Sequence, residues 1–392
     1  MIPRLRPATG LFDVIAAFVG RYHVVEFERS FAKLMGQAHA IAFPYGRTAQ
    51  MMLIEALGFK DRDILLPAYS CVVVAHAIVL SGNRPVFIDS EPGGFNMDLD
   101  KAEAAITERT AAIIATSIHG YPVDLDRLER LSAAHSEVVI LQDCAHSFSA
   151  EWQGSPVQRA GRAAIFGLNI SKLMTSIFGG MITTDDTELA EKLRAVRARQ
   201  IKGAGGRRIG RALYLGAATV ALVPSIFSFV RYISRFGLLD RFVRYYDETL
   251  IDIPADYLDQ IGRAEASVGV RQCAAYPGIV EHRRHIAGIY NTMLESRYPE
   301  GRPPMVEGAT WSHYVLRVPD PEKLVREAAA RGIEIGRIID YCVPDMPAYR
   351  EIAASQGPFD ETRRLNASVV NLPLWVSERT ARRVAATLGA IL

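Results

Sequence analysis

Short, continuously apolar runs alternating with helix-patterned segments constrain this chain more than any other feature. The runs are "DILLP", "RPVFIDS" (84–90), "TAAIIATSIHG" (110–120), "VVILQDCAH" (138–146), "AAIFGL" and "GGMITTDD" (179–186). Among and around them lie "TAQMMLIEALGF" (48–59), "LDRLERLSAAHS" and "TELAEKLRAVRARQ", whose apolar residues recur at helical spacing. A strand that is apolar at every position must be covered on both faces. The pattern therefore predicts an α/β fold, a mostly parallel central sheet sandwiched by helices. Beyond residue 256 the pattern changes. A long helical stretch (261–297) precedes a strand at "WSHYVLRVP", a helix at "PEKLVREAAARG", a strand at "IEIGRI" and a last helix, "SERTARRVAATLGAIL". The expected division is a large domain, 1–255, with an N-terminal arm and helix, and a smaller C-terminal α+β domain, 256–392.

A formal charge of +2 over 392 residues gives no global signal for nucleic acid. The four cysteines are far apart, with no C-x-x-C pair. That argues against a disulfide framework or a zinc knuckle and suits a reducing cytosol. The N-terminal apolar run is brief and lacks a clear small-residue cleavage site, unlike a signal peptide.

In doubly wound sheets ligands sit beyond the carboxyl ends of the strands. Asp143 ends "VVILQD", and Lys172 follows the next strand within "FGLNISKLMTSIFGG". Upstream, "FPYGRTAQ" places Gly46, Arg47 and Thr48 where a loop enters a helix, where free N–H groups bind phosphate. Each has an ordinary structural reading. Asp143 can be a turn or capping residue, Lys172 a snorkelling lysine, and Arg47 a surface ion-pair partner. Together they match what pyridoxal phosphate needs: a lysine for a Schiff base, a carboxylate for the pyridinium nitrogen and a helix start for the phosphate.

From about residue 25 to the end, the chain resembles the DegT/StrS-type sugar aminotransferases, fold-type I pyridoxal-phosphate enzymes. The resemblance rests on an ordered set: "YGRTAQMMLIEALG", "DRDILLPAYSCVVVAHAI", "RPVFIDS", "IIATSIHGYPVDLD", "QDCAHSF", Lys172 with Gly179-Gly180, "SHY" near Trp311 and "NLPLW" near Pro373. It implies that Lys172 is the Schiff-base lysine and proton carrier. Asp143 would bond the ring nitrogen, His146 the ring or its 3-hydroxyl, and Gly46, Arg47 and Thr48 the phosphate. The implied reaction moves an amino group from glutamate to a keto sugar, often nucleotide-linked, for cell-surface glycans, in a cytoplasmic homodimer.

Three positions depart from the family pattern. Gly167 replaces a serine that bonds the phosphate, with Asn169 nearby as a substitute. Cys71 replaces the aromatic residue that stacks on the ring, which a thiol cannot imitate. "LDQI" at Leu258 replaces a segment whose asparagine reaches the partner subunit. These losses leave a non-catalytic regulator or scaffold as a second reading. A third keeps the chemistry but uses a lipid-linked acceptor, because residues 205–246 form an apolar insertion flanked by arginines. Ala212 to Val230 holds no charge over 19 positions. Such a segment suits either packing on a dimer partner or peripheral contact with the inner face of the membrane.

Overall fold

The computed structural model describes residues 1–203, 207–234 and 247–392, without the side chains of 231–234. Seven strands form the main sheet: β1 (His39–Phe43), β2 (Asp63–Pro67), β3 (Arg84–Ile88), β4 (Thr110–Thr116), β5 (Val139–Asp143), β6 (Ala163–Gly167) and β7 (Gly180–Thr184). Their order is β1-β7-β6-β5-β4-β2-β3. All neighbours run parallel except β7, which is antiparallel to both β1 and β6. The α/β expectation is met, with one reversed strand that the apolar pattern could not reveal.

Both faces of the sheet are apolar because successive side chains alternate between them. Ile64, Leu66, Ala112 and Ile114 pack on one face, with helices α3 (Gly46–Ala56), α4 (Val72–Leu80) and, further along the sheet, α7 (Thr187–Gln200). Leu65, Ile113, Ala115 and Ile140 point the other way, onto α5 (Leu99–Ala104) and α6 (Leu125–Ala134). At the β1 end that second face is covered by α2 (Val24–Met35) and by α10 (Arg263–Glu295), through Phe27, Phe31 and Tyr276.

Among the described residues α8 (Arg208–Ala221) and α9 (Pro224–Ser234) lie between α7 and α10; the first helix is α1 (Leu11–Val19). The rest of the chain packs around an antiparallel pair, β8 (Tyr314–Arg317) with β9 (Val369–Leu372), and helices α11 (Pro321–Ala330), α12 (Asp360–Ser368) and α13 (Glu378–Leu388). The expected strand "IEIGRI" is not one. It makes two isolated bridges, Ile2 with Ile333 and Gly336 with Asn371. Its edge is taken up by the N-terminal arm: Ile2 donates to the Gly332 carbonyl and accepts from the Glu334 N–H.

The insertion packs on its own chain. Ala212 and Leu215 of α8 share a small core with Ala17 of α1, Ala264 and Val268 of α10, and Ile170 and Ile177 of the lysine loop. Arg211 lies 4.1 Å over the Phe178 ring and pairs with Asp256 and Glu265. No single helix among the described residues is long and apolar enough to cross a membrane. α8 and α9 up to Val230 pass that test only together, and they are bent by 99°. Residues 205–206 and 235–246 of the insertion, with Arg235, Arg241 and Arg244, lie outside the described residues.

Gly269 shows how tightly α10 sits. A Cβ there would lie 2.4 Å from the ring of the fully buried Phe27. Glycine to alanine inside a helix normally gains about 1 kcal/mol, whereas overpacking a core costs about 1–3 kcal/mol. Gly269→Ala is expected to be destabilising, and a chemical denaturation midpoint at or above wild type would refute that packing.

Candidate active site

The carboxyl ends of β2, β4, β5 and β6 and the start of β7 meet at one edge of the sheet. A cavity of about 750 Å³ opens there. It is lined by Lys172, Asp143, His146, Gly46, Arg47, Cys71 and Asn169 from the predicted set. Thr48 alone of that set lies outside the lining. It is fully buried, and its hydroxyl donates to the Tyr257 carbonyl at 3.0 Å. The hydroxyl is therefore occupied, and only the Thr48 N–H remains for a phosphate.

Glycines dictate the geometry at the helix start. A Cβ on Gly180 would fall 2.3 Å from the Tyr45 carbonyl oxygen, and one on Gly46 3.2 Å from the Gly167 Cα. α3 can thus begin directly against β6 and β7. No side chain caps it, so its first N–H groups face the cavity, where an anion would satisfy them. Arg47 stands beside them. Burial lowers its pKa, and it has no ion pair or hydrogen bond among the described residues.

Asp143 closes β5 and is buried. Its Oδ1 accepts the Ala145 N–H at 2.9 Å, as a turn aspartate would. Burial raises its pKa, against the pull of that N–H and of the Lys172 charge. Lys172 follows Asn169 in a tight turn, its N–H donating to the Asn169 carbonyl at 3.1 Å. The Asn169 carboxamide oxygen accepts from Ser171, both N–H and hydroxyl. Its NH₂ end is what is left to offer the cavity.

His146 belongs to a buried group of three imidazoles with His119 and His313, whose potential ligand atoms lie within 4.8 Å of one another. Burial is the main cause that holds all three neutral: His119 is lowered to about 3, and His146 and His313 fall well below the ordinary value. His119 Nε2 meets the Tyr69 hydroxyl at 3.3 Å, and His313 Nδ1 the Ser312 hydroxyl at 3.0 Å. The Nδ1 atoms of His119 and His146 are buried without a partner among the described residues. His119 and His313 stand in "IHG" and "SHY", segments quoted above without a role for either imidazole. Further lining residues that sequence reasoning passed over are Arg4, Arg283, Arg337 and Tyr341. Tyr341 accepts the Val72 N–H at 3.1 Å, which puts an aromatic residue beside Cys71. Leu258 points into the core, and its carbonyl accepts the Lys202 N–H.

A lysine, a buried carboxylate and an uncapped helix start with an unpaired arginine converge on one cavity, and the family model for such proteins covers residues 17–388. The chain belongs to the DegT/DnrJ/EryC1/StrS aminotransferase family. It is 36% identical over 180 residues to GDP-perosamine synthase of Caulobacter vibrioides, 46% of this chain and 48% of that protein. It is 32% identical over 192 residues to the L-glutamine:scyllo-inosose aminotransferase of Streptomyces griseus, 48% of this chain and 45% of the other. The chain thus spans about half the length of these curated relatives. A Streptococcus pneumoniae protein solved in its PLP form has the same fold, with a TM-score of 0.76 at 18% identity over 100% of this chain and 98% of that one. The family's cofactor, pyridoxal phosphate, suits the donors present here: an amine, a carboxylate and an anion cradle.

Two outcomes follow from this geometry. A Cβ at Gly167 would meet Lys172 Cε at 3.4 Å and Ala145 Cβ at 3.7 Å, ordinary contacts. Gly167→Ser should therefore fold and restore a hydroxyl donor to an anion, worth about 1.5–3 kcal/mol. Absorbance titration with pyridoxal phosphate should show roughly tenfold tighter binding or better; unchanged affinity would place the phosphate elsewhere. The histidines set an acid limit. Their folded pKa values lie below the roughly 6.5 of an unfolded histidine, so the unfolded chain takes up protons first as pH falls. Stability is complete above about pH 6.5 and is lost below it, by at most about 1.4 kcal/mol per pH unit for each of the three. Urea midpoints at about pH 7 and about pH 5 should differ accordingly, and equal midpoints would mean that the imidazoles protonate freely in the folded chain.

Proposed function

We propose that this chain is a pyridoxal-phosphate-dependent aminotransferase that moves an amino group from glutamate to a keto sugar, nucleotide-linked, in the biosynthesis of cell-surface glycans. The observation that carries the reading is the convergence of Lys172, Asp143 and the uncapped start of α3 with Arg47 on one cavity. Bound there, the cofactor would supply an electron sink for the carbanion formed when the donor loses its Cα proton. Lys172 Nζ would take that proton and later return one to the product, acting as base and then acid. Asp143 would hold a proton on the ring nitrogen facing it. Its buried, low-dielectric position strengthens that ion pair once formed. Arg47 and the N–H groups of Gly46, Arg47 and Thr48 would anchor the phosphate, and Asn169 NH₂ would stand in for the serine missing at Gly167. His146 would border the ring. Cys71 leaves its neighbour Tyr341 as the aromatic surface on that side.

The cavity is rich in cations, with Arg4, Arg6, Arg47, Arg283, Arg337 and Lys172 against Asp143 and Glu334. Such a lining suits a dicarboxylate donor and a phosphate-bearing acceptor. A cytoplasmic location fits the four free cysteines. A homodimer is proposed with it, by resemblance to the family. The scaffold reading keeps one specific support, the missing serine and ring at Gly167 and Cys71.

Lys172→Ala should remove the visible band of the lysine-bound cofactor and lower amino transfer from glutamate by at least about 10²–10⁴-fold. Asp143→Asn should retain the cofactor while slowing the single-turnover reaction by a comparable factor. A wild-type rate in the first variant would overturn the role given to Lys172, and no spectral change when wild type meets glutamate would overturn the aminotransferase reading in favour of a scaffold.

A further inference from the structure

α1 and α8 lie side by side, with Gly216 of α8 against Val14 of α1 and Ala17 buried between them. Their outward faces are apolar. On α1, Leu11, Phe12, Ile15, Phe18 and Val19 are exposed, Leu11 by 70% and Phe12 by 68%. At 100° per residue these five fall on one arc, opposite Asp13 and Ala17. On α8, Ile209, Leu213 and Val220 form a second exposed stripe, turned away from the buried Leu215. α9 continues it with Phe229, 63% exposed, and Ile226. So large an apolar area calls for an occupant.

The charge pattern selects one. α8 and α9 contain no acidic residue, and the single one in α1, Asp13, is buried and bound to Gln272, Arg271 and the Gly10 N–H. Arg21 and Arg208 border the patch and Arg6 lines the cavity beside α9, all three without a carboxylate partner among the described residues, and Arg208 lies against Gly20 at the end of α1. A second copy docking by a twofold axis would set this acid-free, arginine-edged face against itself, and like charges would meet. An anionic bilayer supplies both an apolar layer and negative headgroups. The 99° bend keeps α8 and α9 from crossing it as a single rod.

α9 also joins the patch to the cavity. Leu222, Phe227 and Val230 line the cavity, beside Leu5 and Pro7 of the arm, while Phe229 faces outward. We propose that α1, α8 and α9 rest together on an anionic lipid surface, so that the cavity opens at that surface. Resting on the aminotransferase reading, the acceptor class that would use such an opening is a keto sugar on a phosphate-linked lipid carrier. The apolar wall takes the carrier, the arginines its phosphates.

The test uses the full chain and vesicles of phosphatidylcholine, with and without phosphatidylglycerol. Three arginines near a charged surface predict that phosphatidylglycerol raises partitioning by roughly 100-fold. Phe12→Asp combined with Leu213→Asp should reduce binding at least about tenfold, whereas Met305→Asp, at an equally exposed apolar residue outside the three helices, should not. An unchanged thermal melt of each variant confirms folding. Equal, negligible pelleting with both vesicle types overturns the proposal, as does binding indifferent to lipid charge. If the double variant instead splits an oligomer that never bound vesicles, the face belongs to a second copy and the proposal fails. Loss of the glutamate-induced spectral change would count against the aminotransferase reading alone, since vesicle binding needs neither cofactor nor Lys172.

Discussion

The site depends on one close approach, the start of α3 against the ends of β6 and β7. Tyr45, Gly46, Gly167 and Gly180 meet there with backbone separations that leave no room for a side chain on Gly180. A Cβ at that position would push α3 away from the sheet, and with it the N–H groups and Arg47 proposed as the anion cradle. The same contact sets where the lysine loop begins and ends, because Gly167 and Gly180 are paired across β6 and β7. Loop and helix start thus share an anchor, and Lys172 is placed relative to the proposed phosphate site by backbone packing.

From that anchor a chain of contacts runs outward. The Tyr45 hydroxyl donates to Asp256 at 2.7 Å, and Asp256 also binds Arg207 and Arg211 of the insertion. Desolvation, with Asp256 adding to it, holds the Tyr45 phenol protonated, its pKa raised to about 12. On the other side Ile177 of the lysine loop sits at φ +75°, a conformation that a β-branched residue rarely adopts. Such a backbone costs on the order of 1–3 kcal/mol. Burial against α1 and α8 offsets it, as does the Ile177 N–H bond to the Thr175 hydroxyl. The insertion is therefore part of what holds the lysine loop in shape. Deleting it would expose Ile170 and Ile177 as well as remove a surface.

Much of this was legible in the sequence because period and order survive without a structure. The apolar runs marked the strands of the sheet from Asp63 onward, and Asp143 fell at the end of β5 and Lys172 in the loop after β6. Strand direction did not follow. β7 reads like its parallel neighbours, since a strand buried on both faces has the same pattern either way. Thr48 looked like a phosphate donor because it opens the same helix turn as Gly46 and Arg47, but which way a first-turn hydroxyl turns depends on Tyr257, more than 200 residues away. His119 and His313 come together only in the fold, where the His313 N–H donates to the His119 carbonyl. The apolar run at 212–230 left membrane and packing open, and the fold gives α8 an inner face for packing and an outer face still uncovered.

The departures at Gly167 and Cys71 can be weighed by magnitude. A lost hydroxyl donor to an anion costs about 1.5–3 kcal/mol. Against it stand charge contacts, each worth up to about 4 kcal/mol at 4 Å in a partly screened site. In the proposed site Arg47 would supply one such contact at the helix start, and Asp143 another at the ring. A covalent link to Lys172 would add to both. Removing one neutral donor therefore weakens the cradle without emptying it. The missing aromatic at Cys71 acts on ring orientation more than on retention, and Tyr341 borders the same side. On these magnitudes the site keeps the means to hold its cofactor. The proton transfer proposed for Lys172 uses its own amine and needs neither a hydroxyl at position 167 nor a ring at position 71.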